Sequence, residues 1–434
     1  MTPLRFGVNY TPSHRWFYSW HDVDWRSTER DLAAVAGLGM DHVRVFPLWP
    51  VLQPNRTYID PAALADLRRT VDIAAAQGLE VYLDVLQGHL SSFDFVPSWL
   101  SSWHRGNMFT DAAVLQAQAD LVTAVHDALA DQPAYRGLTL GNELNQFAGT
   151  PHPSPMPATS RDVDTWLDTL LGAAPADPGR LRLHAEYDAV WYLDGHPFLP
   201  RHAARQGDLT AVHSWVFNGT AQRYGADSPH SHRHAEYLVE LARAFATDPE
   251  RGVWLQEIGA PGNVLDPEQV VPFARASVRH AAESPALWGV TWWCSHDVDP
   301  TLGDFPPFEH TLGLIDQGGQ VKPLGHAFAE AAAELRDQAA APGRTTAVVV
   351  PVDQDDTPVS RAALGPGGSV FEEWVRLAED GQRPALVTST TATDPDDLRR
   401  RGITRLHRVE PRAGAAYTSV SDEELAPVAE AGSR

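Results

Sequence analysis

A chain of 434 residues, 43% hydrophobic and 21% charged, is sized for one large catalytic unit with a smaller one attached. Its formal charge of −22 repels phosphate backbones and anionic lipid, which argues against nucleic acid and membrane as partners and suits a neutral substrate; a homo-oligomer stays open. Lys322 is the sole lysine, and Gly319-Gln320-Val321-Lys322-Pro323 is not a phosphate-binding loop, so Walker-type nucleotide chemistry is excluded and a lysine Schiff base is disfavoured.

Cys294 is the sole cysteine, which rules out an internal disulfide and a thiolate metal cluster. The first residues lack a basic and apolar leader pattern, and no stretch is long and apolar enough to span a bilayer, so the expectation is a cytoplasmic protein.

Along the chain, short apolar runs alternate with helical ones as far as about residue 340, the pattern of an α/β fold with a parallel sheet. Eight runs read as strands: Leu4–Tyr10, His42–Pro47, Glu80–Leu86, Tyr135–Asn142, Arg180–Tyr187, Asp208–Trp215, Val253–Ile258 and Leu287–Trp293. Helices are expected over Asp24–Leu38 and Ala62–Gln77, each stopped by a following glycine, over Asp111–Ala130, and over His230–Ala246. Eight β–α units over residues 1–340 predict a (β/α)8 TIM barrel. A doubly wound open sheet would want a glycine-rich turn after its first strand, and Asn9-Tyr10-Thr11-Pro12 is not one.

Two β→α loops are long: Gln87–Thr110, rich in aromatic residues, and Gln146–Ser160, with prolines at 151, 153, 155 and 157. Loops on that face of a barrel build the active site, so a shaped pocket is expected between them. Beyond an Ala-rich linker, residues 345–425 read as a small α/β accessory domain, with strands Ala347–Pro351 and Pro384–Thr388 and helices Ser369–Glu379 and Asp394–Arg401. The last dozen residues read as frayed, and Gly365-Pro366-Gly367-Gly368 reads as a turn rather than a phosphate cradle.

The chemistry is carried by two apolar strands that each deliver a glutamate. Leu138-Thr139-Leu140-Gly141-Asn142-Glu143 closes the fourth run and Val253-Trp254-Leu255-Gln256-Glu257 the seventh, at the end where barrel enzymes keep catalytic groups. A carboxylate in an apolar strand costs free energy unless paired or protonated, so each needs a partner or a task.

With these motifs the first 335 residues resemble glycoside hydrolase family 5. The resemblance implies Glu143 as acid/base, Glu257 as nucleophile, and Asn142 holding the sugar 2-hydroxyl. It further implies Arg44 supporting the nucleophile, His89 after strand three, His213 on strand six and Trp293 flooring the reacting sugar, and places these with Asn142 as the substrate-binding set. One departure stands out: the family commonly has His-x-Tyr on strand six, and here His213-Ser214-Trp215 leaves the tyrosine's bond to the nucleophile without an owner, with Tyr187 and Tyr224 the nearest substitutes.

The runs Phe6–Ser13, Pro47–Arg56 and Gln87–Asp94 resemble a bacterial exo-β-mannosidase subgroup that acts on small mannosides, including the mannosyl-β-1,4-N-acetylglucosamine of N-glycan cores. The implied activity is retaining, cofactor-free release of terminal β-mannose. An endo-β-mannanase or β-glucanase, or a barrel that binds carbohydrate without cleaving it, are the alternatives.

Other candidates are weaker. His230-x-His232-x-His234 does not share a helix face and reads as solvated loop rather than metal site. Glu186, Asp188 and Asp84 suit structural ion pairs, with Asp94 of the same standing, while Asp297 and Asp299 are placed to reach sugar hydroxyls at the mouth.

Overall fold

The computed structural model describes residues 3–338 and 341–414. Eight parallel strands form the main sheet: β1 Arg5–Asn9, β2 His42–Val45, β3 Glu80–Asp84, β4 Tyr135–Thr139, β5 Leu181–Leu183, β6 Thr210–Ser214, β7 Val253–Ile258 and β8 Leu287–Trp292. The ladder runs from β6 through β7, β8, β1, β2, β3 and β4 to β5, so β8 pairs with β1 and the sheet curls into a (β/α)8 barrel that lacks only a β5–β6 ladder. At the β5–β6 seam, Asp208 takes the place of a ladder, its backbone N–H donating to the Arg182 carbonyl while its carboxylate accepts from the Arg182 N–H.

β5 is shorter than its apolar run implies. Beyond Leu183 the ladder is replaced by a side chain: the Asn145 amide accepts from the Tyr187 N–H at 3.1 Å and donates to the Tyr187 carbonyl at 3.3 Å. Those backbone groups are satisfied outside the sheet, so strand pairing is not required there.

Alternation sorts the strand residues. In β2, Val43 and Val45 face the helices while His42 and Arg44 share the barrel interior, all four buried. A lower interior layer holds His42, Tyr82, Trp254 and Thr291, joined by the His42–Thr291 and Trp254–Thr291 hydrogen bonds at 2.8 and 2.7 Å. Above it lies a polar layer of Arg44, Asp84, Gln256 and Glu257.

The helices begin where their caps dictate. α1 (Trp25–Gly37), α2 (Pro61–Ala76) and α3 (Ala112–Leu129) each start on an aspartate, Asp24, Asp60 or Asp111, whose carboxylate accepts from the first-turn N–H groups. The first two stop at Gly39 and Gly78, which take positive φ as the sequence anticipates. α4 (Ser160–Ala173), α5 (Pro200–Arg205), α6 (His234–Phe245), α7 (Pro267–Ala282) and α8 (Pro323–Arg336) continue the outer ring. No described helix is long and apolar enough to cross a membrane.

A second parallel sheet, β9 (Thr346–Val350), β10 (Ala385–Thr388) and β11 (Arg405–Arg408), has β9 at its centre. With α9 (Ser369–Glu379) and α10 (Pro395–Arg401) it rests on α6; β11 is a strand the sequence pattern did not signal, being Arg-Leu-His-Arg and half exposed. Val348, Val350, Phe371, Trp374 and Leu386 belong to the same apolar core as the barrel. Residues 415–425 of the expected accessory domain, and the tail expected to fray, lie outside the described residues.

The three alternating histidines are not a solvated loop. His230 stacks on Tyr224 at 3.9 Å and bonds Glu372 of α9, while the buried His234 bonds Ser214 and Tyr192. The Gly365–Gly368 turn is filled from the barrel side by the Tyr224 hydroxyl, which accepts from the Gly367 N–H at 2.6 Å.

Candidate active site

Every sequence-predicted site residue lies at the C-terminal end of the barrel, and the register explains why. Asn9 pairs with Arg44 across β1–β2, and His213 pairs with Glu257 across β6–β7 after a bulge at Val212/His213. Four polar side chains from four strands are thereby set at one level. Glu143 follows β4 with φ 47° and ψ 36°, a left-handed backbone that a glutamate adopts only when its surroundings impose it.

The two glutamates meet. One carboxylate oxygen of each, with a ring nitrogen of His213, lies within 4.8 Å of the others. Both line a cavity of about 470 Å3 together with His89, Asn142, Tyr187, Trp215, Trp293 and Glu309. Glu257 is 3% exposed and Glu143 8%.

Glu257 is held by N–H donors. Arg44 Nη1 donates to Oε1 at 2.9 Å and Trp215 Nε1 to Oε2 at 3.1 Å. Arg44 is itself clamped by Asp84 at 2.7 and 2.8 Å and donates to Asn142 Oδ1 at 2.8 Å, which orients the asparagine beside the acid/base candidate. Burial lifts the Glu257 carboxyl, and Glu143 adds to it, while His213, Arg44 and the Trp215 N–H pull the other way.

Glu143 accepts from Gln146 Nε2 at 2.7 Å and shares a 2.7 Å bond with His213 Nδ1. His213 Nε2 faces Gln256 Oε1 at 3.2 Å, and the Gln256 amide nitrogen donates to Thr139, so Nε2 carries a proton. Burial works against charging His213, but Glu257 and Glu143 outweigh it and hold the imidazole above its ordinary value. Burial likewise opposes ionising Glu143, yet His213 and Gln146 keep that carboxyl below its ordinary value. Both directions favour a protonated imidazole bonded to an ionised Glu143 across the Nδ1–Oε1 contact.

Two members of the expected substrate-binding set lie deeper than the others. Arg44 and His213 lie beneath the cavity, 0% and 1% exposed, and are not among its lining residues; Arg44 bonds Glu257, and His213 reaches both glutamates. His89, Asn142 and Trp293 do line it. Neither Tyr187 nor Tyr224 replaces the strand-six tyrosine: Trp215 itself supplies the bond, its ring lying against β7 where Gly259 leaves room. A Cβ at Gly259 would stand 2.6 Å from that ring.

Asp297 is tied to Lys322 at 2.8 Å and Asp299 caps Thr301, so neither faces the cavity. Glu186 pairs with His184, Asp84 with Arg44, and Asp188 accepts from Asn218. Several lining residues went unsignalled, among them the polar Gln146, His152, Asn218 and Glu309, which lie between the barrel strands and their helices where no periodicity marks them.

The long loops form walls. Asp94 bonds His89 at 2.9 Å and His152 at 3.0 Å, stapling the loop after β3 to the loop after β4. A third wall comes from the loops after β1, β3 and β8, where Trp16, Phe93 and Phe305 meet ring to ring.

The same fold recurs in solved structures. An enzyme of Bifidobacterium longum subsp. infantis, described as GH5_18, superposes with a TM-score of 0.94 at 58% identity, covering 96% of this chain and 99% of that one. The chain belongs to glycoside hydrolase family 5, subfamily 18. A second member of GH5_18, a glutamate-to-alanine variant from B. longum subsp. longum in complex with Manβ1-4GlcNAc, matches at TM-score 0.95 and 53% identity over 96% of this chain and 99% of that one. A third, a glutamate-to-alanine variant from Streptomyces cattleya in complex with the same disaccharide, matches at 0.92 and 53% over 93% and 98%. No family model and no curated protein sequence matches this glycoside hydrolase.

Proposed function

We propose that this glycoside hydrolase is a retaining exo-β-mannosidase, with Glu257 as nucleophile and Glu143 as acid/base, releasing single β-mannose units from small oligosaccharides such as Manβ1-4GlcNAc. The observation that carries it is the approach of the two carboxylates to within 4.8 Å across a walled cavity. Retaining enzymes hold the pair about 5–5.5 Å apart, whereas inverting ones leave roughly 6.5–9.5 Å for a water. The binding of Manβ1-4GlcNAc by two relatives supports the substrate.

In the first step Glu257, with both oxygens held by N–H groups, attacks C1 of the sugar. The leaving oxygen takes the proton that Glu143 shares with His213. In the second step Glu143 removes a proton from water, which displaces the sugar from Glu257. Trp293 offers the apolar face against which the ring lies, and Asn142 reaches the 2-hydroxyl.

The chain division, a barrel over residues 1–340 with an accessory unit over 345–425 that buttresses α6, is part of the same proposal. So is a cytoplasmic site of action on imported oligosaccharides, in keeping with the single buried, unpaired cysteine.

The test is product analysis with two variants. Wild type should free mannose from Manβ1-4GlcNAc and mannobiose with little loss of mannan viscosity. Glu257→Ala with azide should give the α-mannosyl azide and Glu143→Ala the β-azide from an activated aryl mannoside. A viscosity drop ahead of free mannose would mean endo cleavage, and identical azide products would mean the roles are misassigned.

A further inference from the structure

Besides Glu143, Glu257 and the histidine-bound Asp94, the cavity is lined by a carboxyl that two-carboxylate chemistry does not use. Glu309 lies in the short turn Pro307–Thr311 of the loop after β8, lines the cavity that Glu143 and Glu257 share, and is 9% exposed. Its Oε2 accepts from the Ser91 hydroxyl at 3.1 Å, and the Trp293 side chain also reaches it. Burial and the nearby Glu257 push its carboxyl up to about 7, with Ser91 and Trp293 opposing, and no cation is among the groups that act on it. A carboxyl desolvated in this way is expensive unless a ligand uses it.

Position on the ring says which part of a ligand that is. In an eight-strand barrel β8 stands opposite β4, so the loop carrying Glu309 faces Glu143 across the mouth. The leaving group must lie beside the acid/base. A sugar with C1 at Glu257 and its face on Trp293 therefore turns its far edge, carbons 4 and 6, towards Glu309. Ser91, Ser92 and Phe308 line the cavity beside Glu309, and on the same loops Phe93 and Phe305 pack with Trp16, Phe305 lying 4.8 Å from each of the other two rings.

We infer that Glu309 hydrogen-bonds the 4- and 6-hydroxyls at the non-reducing edge of the bound sugar, and so recognises it as a chain end. This rests on the exo-mannosidase reading above and adds the residue that enforces it. A sugar substituted at that edge would bring a carbon where the carboxyl needs a hydroxyl, leaving a buried acid unpaired. Sites built around a substrate hydroxyl discriminate far more strongly than apolar pockets do.

The test is a cycle of substrates against variants. The substrates are 4-nitrophenyl β-mannoside and its 2-deoxy, 4-deoxy and 6-deoxy forms, and the proteins are wild type, Glu309→Gln, Glu309→Ala and Ser91→Ala. On the parent substrate Glu309→Ala should lose about 100-fold or more in kcat/KM, Glu309→Gln about ten-fold, and Ser91→Ala only a few-fold. The decisive reading is the deoxy series, in which the ratio between proteins cancels intrinsic reactivity. The 4-deoxy or 6-deoxy penalty seen in wild type should vanish in Glu309→Ala, while the 2-deoxy penalty stays. Equal loss on all four substrates, in protein of unchanged melting temperature, would reduce Glu309 to a prop for the Ser91 loop and overturn the inference. Should wild type ignore β-mannosides, the mannosidase reading would fall instead. The same deoxy series on the β-glucoside or β-galactoside it does cleave would then judge Glu309 separately.

Discussion

A tyrosine hydroxyl can donate or accept a hydrogen bond, whereas an indole N–H only donates. Trp215 therefore offers Glu257 a contact that favours the anion alone, at 3.1 Å and fully buried. Removing it in Trp215→Phe should raise the Glu257 carboxyl, because the Trp215 bond is one of the terms lowering it. The sign follows: as the proposed nucleophile, Glu257 must be ionised, so the acid limb of kcat/KM should move to higher pH, with activity at its optimum falling about ten-fold or more. An unchanged acid limb would show that Arg44 alone sets the ionisation. Asp188 offers a stability test at the same scale. It is buried, accepts from Asn218, and burial pushes it up to about 7. The folded state thus binds a proton that the unfolded chain has lost between about pH 4 and 7, so stability declines as pH rises through that window. Asp188→Asn should raise the melting temperature at pH 8 and leave it unchanged at pH 4, as read by calorimetry. At this scale the sequence was legible where an apolar strand ended in a carboxylate, as at Glu143 and Glu257. It was not legible at Trp215, because the residue type that usually makes the contact was absent and a different donor reaches the same oxygen. Nor was it legible at Glu309, whose partner Ser91 is 218 positions away.

At the scale of elements, the cavity depends on loops that carry no secondary structure to stiffen them. The loops after β3 and β4 are joined through Asp94, whose carboxyl is held far below the usual range by His152 and His89 despite burial. Asp94→Asn keeps the shape but gives up the charge, and it should loosen one rim while leaving the carboxylate pair untouched. The expected outcome is a several-fold higher KM for a disaccharide with kcat for an activated aryl mannoside nearly constant. Equal effects on both parameters would place Asp94 closer to the chemistry than the geometry does. The barrel strands and the capped helices were readable beforehand because periodicity and capping are local. The exceptions have local causes too. β5 stops at Leu183 because the Asn145 side chain takes over the backbone bonds of Tyr187, and β11 was missed because Arg405 to Arg408 carry charge on an exposed sheet edge. The wall made by Trp16, Phe93 and Phe305 joins three loops far apart in sequence, and aromatic content alone does not say which rings will meet.

At the scale of the whole molecule, the smaller sheet is joined to the barrel by charge as well as by apolar contact. Arg344, 2% exposed, lies between Glu236 and Glu240 of α6 at 2.7 and 3.1 Å and donates to the Pro384 carbonyl. Arg233 and Arg243 approach the same two glutamates at 2.7 and 3.1 Å, so three arginines surround two glutamates and each carboxylate faces two cations. Such a cluster adds little net stability over apolar residues of equal volume, yet breaking it from one side is costly because the remaining charges stay buried. Arg344→Leu leaves each carboxylate one arginine but removes the buried charge-assisted bonds that join the two sheets, so it should destabilise by about 1.5–3 kcal/mol, seen as a melting temperature a few degrees lower. The shared core, with Phe371 and Trp374 packed on Tyr237 of α6, predicts in addition that barrel and small sheet melt together. Scanning calorimetry should then show one transition in both proteins, displaced as a whole in the variant. Should only a minor early transition move while the main one holds, the two sheets would be energetically independent. His234 links α6 to Ser214, the residue between His213 and Trp215, at 2.9 Å. A strained α6 therefore acts on His213 and Trp215, which hold the two proposed catalytic glutamates, and the Arg344→Leu protein should lose activity on heating in step with that single transition and not before it.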